Sequence, residues 1–143
     1  MMKISLSRAV LAVGLLVSAS APAVPAAPST EHLPLDRWYS AERGDNFTTA
    51  DPRWTGAVGD RRAPDYRLSR RAGYILPPDT PVRDGLVPLH SWWSPSRGDN
   101  FITSHLSWHG SPGETRSPDY VYVRHEGYAF AEPVAGTIPL FGW

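Results

Sequence analysis

Two stretches of the chain alternate apolar and polar residues, and each is followed by a shorter stretch rich in Phe and Thr. The first pair reads PLDRWYS and NFTTA, and the second pair reads PLHSWWS and NFITS. Alternation with a period of two is typical of a strand with one buried face. The 15 Pro and 12 Gly leave few stretches in which a helix could form. The pattern therefore predicts an all-β fold.

A third strand is predicted where the sequence reads PDYRLSR and, later, PDYVYVR. The positions of Tyr66 and Leu68 carry apolar residues in the second copy as well. The positions of Arg67 and Ser69, in contrast, carry Val in the second copy. Only one face of this strand is therefore expected to belong to the core. The second-copy residues are Tyr120 and Tyr122 on the core face, and Val121 and Val123 on the other.

A glycine follows this strand in both copies, within RRAGY and RHEGY. Because glycine adopts the positive φ of a tight hairpin without strain, we expect a hairpin at Gly73 and another at Gly127. A fourth strand, residues 74–76 or 128–130, would then return along the third. Each copy is thus predicted to form a four-stranded unit.

The two copies form a tandem repeat with a spacing of 54 residues. Residues 34–78 laid over residues 88–132 without a gap are identical at 20 of 45 positions. Identity at this level over one fixed spacing indicates a duplicated structural unit. The landmarks that we expect to hold each unit together are Phe47, Trp54, Asp65, Tyr66, Arg70 and Gly73 in the first copy, and Phe101, Trp108, Asp119, Tyr120, Arg124 and Gly127 in the second.

The repeat divides the chain into five segments. Residues 1–27 form a signal peptide, 28–33 a short N-terminal segment, 34–87 the first unit with a Pro-rich linker, 88–138 the second unit, and 139–143 the first strand of a third unit. Four-stranded units of this size occur in propeller blades and in trefoils. A face-to-face sandwich or small barrel is also compatible with the sequence, as is a shortened array that associates with itself through exposed strand edges.

The N-terminus has the order of features of a secretory signal peptide. Lys3 and Arg8 precede an apolar run, and small residues follow it, with cleavage expected between residues 21 and 28. The run is too short to span a bilayer. We therefore expect a secreted protein with no membrane attachment after cleavage.

The composition argues against nucleic acids as partners. Removal of residues 1–27 leaves 12 Arg, no Lys and 14 acidic residues, and this balance does not produce the basic face that nucleic acids require. The chain contains no Cys, so packing alone must hold an exported domain together. No cofactor motif is present, and we predict no cofactor.

The tripeptide Arg-Gly-Asp stands in both copies, within ERGDNFTT and SRGDNFIT. Asp and Asn beside Gly between two strands are typical of a β-turn, and we expect Asp45 and Asp99 to organise their own turns. Adhesion to a receptor and contact with a sugar or a hard cation are the alternatives. Each loop offers one carboxylate, whereas calcium takes several oxygen ligands.

Adjacent aromatic residues precede each of these turns, Trp38-Tyr39 in the first copy and Trp92-Trp93 in the second. One ring of each pair must face away from the other because successive side chains of a strand alternate. An exposed ring beside polar groups suits a sugar, whose apolar face it covers. The candidate ligand-binding residues are Trp38, Arg43, Asp45 and Asn46, and Trp92, Arg97, Asp99 and Asn100.

The candidates for catalysis and metal binding are weaker. His105 and His109 have the spacing of a helical metal pair, but their Gly-Ser-Pro surroundings are not helical, and we predict no metal site. The sequence contains neither the Gly-x-Ser-x-Gly motif of a nucleophile elbow nor a phosphate-binding loop. Arg70 and Arg124 are expected to form structural ion pairs. We therefore predict a protein that is not an enzyme.

The motifs W-[YW]-S-x-x-R-G-D-N-F-x-T and P-D-Y-x-x-x-R-x-x-G-Y resemble a tandem repeat of secreted bacterial proteins, particularly those of actinomycetes. The G-D-x-F-x-T part is similar to the core of a broader bacterial extracellular repeat. The resemblance covers residues 34–143 and implies an extracellular role without naming an activity. Together with the duplicated polar landmarks, it favours binding of an extracellular polymer, glycan or cell-wall material. A protein-binding module, either an inhibitor or an adhesion factor, and an accessory module of a secreted hydrolase are the alternatives.

Overall fold

A computed structural model describes residues 32–62, 64–116 and 118–141. The predicted signal peptide, residues 1–27, and residues 28–31 lie outside this part of the chain. The described residues form strands and two short 3-10 helices, with no α-helix. The prediction of an all-β fold is confirmed.

Each unit is one curled, four-stranded antiparallel sheet, and every element recurs 54 residues later. The strand orders are β2-β1-β4-β3 and β6-β5-β8-β7, and each unit has a 3-10 helix after its second strand. The strands of the first unit are β1 (Leu33–Ser40), β2 (Asp45–Thr49), β3 (Arg61–Arg62) and β4 (Tyr66–Ile75), with the 3-10 helix Pro52–Trp54. The strands of the second unit are β5 (Leu86–Ser94), β6 (Asp99–Thr103), β7 (Thr115–Arg116) and β8 (Tyr120–Phe130), with the 3-10 helix Leu106–Trp108.

The Arg-Gly-Asp segment closes the first hairpin of each unit, between β1 and β2 and between β5 and β6. Its glycine has positive φ in both copies, 66° at Gly44 and 64° at Gly98. Glycine adopts this left-handed conformation without steric cost, whereas a side chain would be strained there. The hairpin therefore requires the glycine of this segment in both copies.

The fourth strand is not where the sequence placed it. Gly73 and Gly127 do not turn the chain, because β4 and β8 each continue through the glycine as one strand. A register shift against the neighbouring strand lies beside each glycine, which is typical of a β-bulge. The fourth strands are instead β3 and β7, two residues each, which pair with β4 and β8.

The two faces of β4 and β8 differ as the repeat predicted. Tyr66 and Leu68 are buried, as are Tyr120 and Tyr122 at the matching positions. The residues between them are exposed, namely Arg67, Ser69, Val121 and Val123. The inward face of each sheet carries an aromatic cluster in which Trp38 or Trp92 is fully buried.

Trp54 and Trp108 occupy equivalent places in the two clusters. The centroid of the Trp54 ring lies 5.2 Å from that of Trp38, and the centroid of the Trp108 ring lies 5.3 Å from that of Trp92, with the rings nearly perpendicular in both pairs. Edge-to-face packing is a favourable geometry for aromatic rings. The landmark tryptophans are thus partly buried and pack against the aromatic cluster in both units.

A third, aliphatic core lies where the units meet. Leu35, Ala50 and Ile75 of the first unit pack with Leu89 of the second. The backbones of Leu76 and Tyr128 exchange two hydrogen bonds of 2.9 Å, which join the end of β4 to β8. The two units therefore share the aliphatic core, in addition to the aromatic cluster of each.

Residues 138–141 form no strand, and residues 142 and 143 are outside the described part of the chain. Ile138 and Leu140 are exposed. The predicted first strand of a third unit is thus not confirmed.

Candidate functional site

Trp38 and Trp92, two of the predicted ligand-binding residues, have no exposed surface. They lie on the inward face of their sheets, so neither ring can contact a polymer in this structure. The neighbouring residue in each pair points the other way, because successive side chains of a strand alternate. Tyr39 is 41% exposed, and Trp93 is partly exposed. The accessible aromatic ring of each pair is therefore the second one.

The arginine of each Arg-Gly-Asp segment packs against its own unit. Arg43 donates a hydrogen bond of 2.8 Å to Asp65, and its guanidinium lies 4.9 Å from the centroid of the Tyr66 ring. Arg97 lies 5.7 Å from the centroid of the Tyr120 ring in the same way. These contacts connect the first hairpin to the PDY motif in both units.

The carboxylates of the PDY motif, and not those of the Arg-Gly-Asp segment, organise the turns. Asp65 accepts a hydrogen bond from Ser40, whose hydroxyl in turn accepts one from the backbone N–H of Arg43 at 3.2 Å. Asp119 accepts bonds from the Ser94 hydroxyl at 2.5 Å and from the backbone N–H of Ser96 at 2.8 Å. The prediction that Asp45 and Asp99 organise their own turns is thus wrong.

Asp45 joins the two units. It accepts hydrogen bonds from the Tyr66 hydroxyl and, across the interface, from the backbone N–H of Asn100 at 3.1 Å and its side-chain amide at 2.9 Å. Burial, followed by the bond to Asp45, raises the pKa of Tyr66. Asp99 accepts a bond of 2.6 Å from Tyr120. Asp45 is 5% exposed, so it is not presented to a receptor.

The outward face of the first sheet carries a row of four residues in register, one from each strand. Asn46 pairs with Tyr39, Tyr39 with Arg67, and Arg67 with Arg61. We call this set the first outer row. The equivalent second outer row consists of Asn100, Trp93, Val121 and Thr115. Its Asn100 amide is already bonded to Asp45 and Tyr66 of the first unit.

An open groove of about 390 Å³ lies at the first outer row. Its lining combines an aromatic ring, two guanidinium groups and one carboxylate, from Tyr39, Arg61, Arg67 and Asp65, with Ala41 and Pro64 at its edge. Directly opposed residues on paired strands have Cβ atoms about 4.5–5.5 Å apart, so one sugar ring can reach two neighbours of the row. The groove can supply stacking and charged hydrogen bonds to one ligand residue.

A buried carboxylate that the sequence analysis missed lies between the units. Glu126 is fully buried and accepts hydrogen bonds from the Thr49 hydroxyl at 3.0 Å, the backbone N–H of Ala50 at 2.8 Å and the Ser91 hydroxyl at 2.8 Å. Burial raises its pKa, and these bonds oppose that shift. The one sequence signal was its replacement by Ala72 at the matching position of the first copy.

The predicted ion pairs of the landmark arginines form in one unit only. Arg124 pairs with Asp51 at 2.7 Å and lies 3.6 Å from Glu126, so it connects the two units through acids that the sequence did not identify. Together with the Arg53 side chain, which contributes most, Arg124 holds the pKa of Asp51 at about 2. Arg70, its counterpart, makes no ion pair with another described residue.

Three histidines stack beside the aromatic core of the second unit. The ring centroid of His90 lies 4.8 Å from that of His109 and 5.2 Å from that of His125. The rings of His90 and His125 are stacked, whereas those of His90 and His109 are tilted by 32°. The described residues contain no group of side chains that could hold a metal ion. Burial, then the charges of His109 and His125, lower the pKa of His90 to about 4.

The first unit fills the same place with an ion pair. Asp36 and Arg71, the counterparts of His90 and His125, are 2.9 Å apart. The sequence showed that the histidines replace other polar residues. It could not show that they lie together, because they come from three separate segments of the chain.

We expect the histidine cluster to make the fold sensitive to acid. A folded-state pKa near 4, below the usual 6.5, means that the unfolded chain binds more protons between these values. Stability should therefore fall as the pH is lowered from about 6.5 to 4. The nearby Glu114 opposes the shift of His90, and the raised pKa of Glu126 acts in the opposite direction on stability.

Urea unfolding of the wild type and of His90→Gln between pH 7 and pH 4 measures this effect. The variant should lose less stability over that range than the wild type. His32→Gln, an exposed position ahead of β1, is the control and should follow the wild type. Parallel declines in the wild type and His90→Gln would show that the cluster is not responsible.

Comparisons with protein-family models, with curated proteins and with solved structures found no match to this chain. Within the described residues, no helix is both long and apolar enough to cross a membrane.

Proposed function

We propose that this protein is a secreted, non-enzymatic module that binds an extracellular polymer, glycan or cell-wall material, through the outer rows of its two sheets. The observation that carries the proposal is the exposed Tyr39 ring, which stands in register between Asn46 and Arg67, with Trp93 at the equivalent place of the second row.

The chemistry of the row suits a sugar. An aromatic plane covers the apolar face of a pyranose, and in the first row neighbouring amide and guanidinium groups can reach its hydroxyls. An open groove on a sheet face also accepts a chain that continues on both sides. A deep cavity would accept only a chain end.

Duplication of the row supports a polymer as the ligand. Two weak sites on one chain can bind two segments of the same polymer, and the second contact then benefits from a high effective concentration. The repeated acids are already used inside the fold, since Asp45, Asp65, Asp99 and Asp119 all accept hydrogen bonds from the protein. The accessible side chains of the rows therefore carry the proposed contact.

Substitution of the two accessible rings tests the proposal. We expect Tyr39→Ala and Trp93→Ala each to weaken retention on a bound polymer about tenfold or more, and the double variant to lose most of it. The measurement is retention on a panel of insoluble glycans and isolated cell walls, followed by titration with the best of them.

Tyr74→Ala is the matched control, because Tyr74 is 61% exposed on β4 but lies outside the row. It should bind as the wild type does. Wild-type retention by the Tyr39→Ala, Trp93→Ala double variant would refute the proposal, as would an equal loss in Tyr74→Ala.

A further inference from the structure

The arginines are distributed unequally between the two units. Nine of the 12 arginines that follow the predicted signal peptide lie in residues 34–87 and three in residues 88–138. On the outward face of the first sheet, Arg61 pairs with Arg67, and Arg37 pairs with Arg70 farther along the strands. The first sheet therefore presents a basic outer face, and the second does not.

Among the residues that the structure describes, none holds the side chains of Arg61 and Arg67 in place. Neither makes a side-chain hydrogen bond or an ion pair with another residue of the described ranges. The carboxylate of Asp65, which lines the same groove, is already bonded to Arg43 and Ser40. Asp60, next to Arg61 in the chain, accepts a hydrogen bond from the backbone N–H of Ala57. The groove thus has two guanidinium groups available to a ligand.

Two arginines in direct register are not a requirement of the fold. Like charges that face each other across paired strands destabilise a sheet. The second unit builds the same pair of strands with Thr115 and Val121 at these positions. An anionic group bound between Arg61 and Arg67 would remove the repulsion.

We infer that the first outer row selects a glycan that carries carboxylate groups, with the sugar ring on Tyr39 and its carboxylate on Arg67 and Arg61. This inference rests on the proposed function and names the ligand class of the first row. A guanidinium group binds a carboxylate through two parallel hydrogen bonds, and it does so in a fixed orientation. A uronic acid residue presents both features, an apolar ring face and a carboxylate at the ring edge.

The second outer row has a different specificity under this inference. Trp93 provides the ring there, but Thr115 and Val121 provide no charge. The second row therefore stacks on a sugar without regard to its charge. The two rows together suit a polymer in which acidic and neutral sugars alternate or mix.

The repeat itself supplies matched variants. The Arg61→Thr, Arg67→Val variant gives the first row the side chains of the second, and Thr115→Arg, Val121→Arg does the reverse. All four positions lie on outward faces of strands, outside the aromatic cores. Arg83→Gln in the exposed linker is the control for a change of net charge.

The probes are polygalacturonate, its fully methyl-esterified form, and polyphosphate, measured by calorimetric titration at low and moderate salt. We expect the wild type to bind polygalacturonate about tenfold more tightly than the ester. Arg61→Thr, Arg67→Val should remove this preference, and Thr115→Arg, Val121→Arg should increase it. Without ligand, the first variant should be at least as stable as the wild type, because it removes the repulsion.

Two results would overturn the inference. Equal affinity of the wild type for the acid and the ester would show that charge is not selected. Equally tight binding of polyphosphate, unaffected by Tyr39→Ala, would show unspecific attraction of an anion to arginine. If Tyr39→Ala and Trp93→Ala still weaken retention on a neutral polymer, the proposed function stands while the choice of an acidic glycan fails.

Discussion

Trp92→Ala is expected to lower the free energy of unfolding by about 3–5 kcal/mol. The ring is fully buried, packs edge-to-face on Trp108 and Tyr122, and donates a hydrogen bond of 3.0 Å from Nε1 to the Trp108 carbonyl. Domains of this size have about 5–15 kcal/mol of stability in total. With no Cys in the chain, no disulfide can offset the loss.

Trp93→Ala is the matched control, one residue along β5 and on the other face of the sheet. It should change the midpoint of urea unfolding far less than Trp92→Ala does. A Trp92→Ala protein that kept the wild-type midpoint would contradict the burial of this ring. Trp92 would then again be a candidate for ligand binding.

Gly127→Ala should cost about 3 kcal/mol or more of stability, although it adds a single methyl group. Gly127 has a φ of 142°, where a residue with a side chain is strained. The added Cβ would also collide with the carbonyl oxygen of Leu76 and lie 3.0 Å from Cδ1 of Ile75. That carbonyl accepts one of the two hydrogen bonds that join the units, so the substitution should separate them.

The same substitution in the other copy distinguishes this effect from a general cost of alanine. Of the described residues, a Cβ at Gly73 would meet only Ile138, at 3.8 Å. Gly73→Ala is thus expected to change the free energy of unfolding by about 0.5 kcal/mol or less. Thermal and urea unfolding of both variants provides the measurement, and equal losses would contradict the role of the Leu76 contact.

The fold class could be predicted from the sequence because its signals are local or repeated. Alternation along β1 and β5 identified strands, and comparison of the copies showed which face of β4 and β8 is buried. The duplicated glycines led to a wrong prediction of hairpins, because a β-bulge and a hairpin turn both favour glycine. The two cases differ in strand pairing. Gly73 pairs with Leu35 and Gly127 with Leu89, so both glycines lie within a strand and not in a turn.

The candidate site could be predicted only in outline. The aromatic pairs were identified, but the phase of the strand decides which ring is accessible. The sequence favoured Trp38 and Trp92, whereas the accessible rings are Tyr39, which is exposed, and Trp93, which is partly exposed. The outer row depends on register across four strands. Arg61 was missed because β3 is two residues long and carries no periodic signal.

Glu126 makes the two copies complementary, and no longer interchangeable. Its carboxylate satisfies the backbone N–H of Ala50 and the Thr49 hydroxyl in the other copy, whereas the matching residue, Ala72, can accept no such bond. Two first copies assembled in the same way would leave these donors buried without an acceptor. The pairing of the two units therefore depends on a difference between them, although every strand of one has its counterpart in the other.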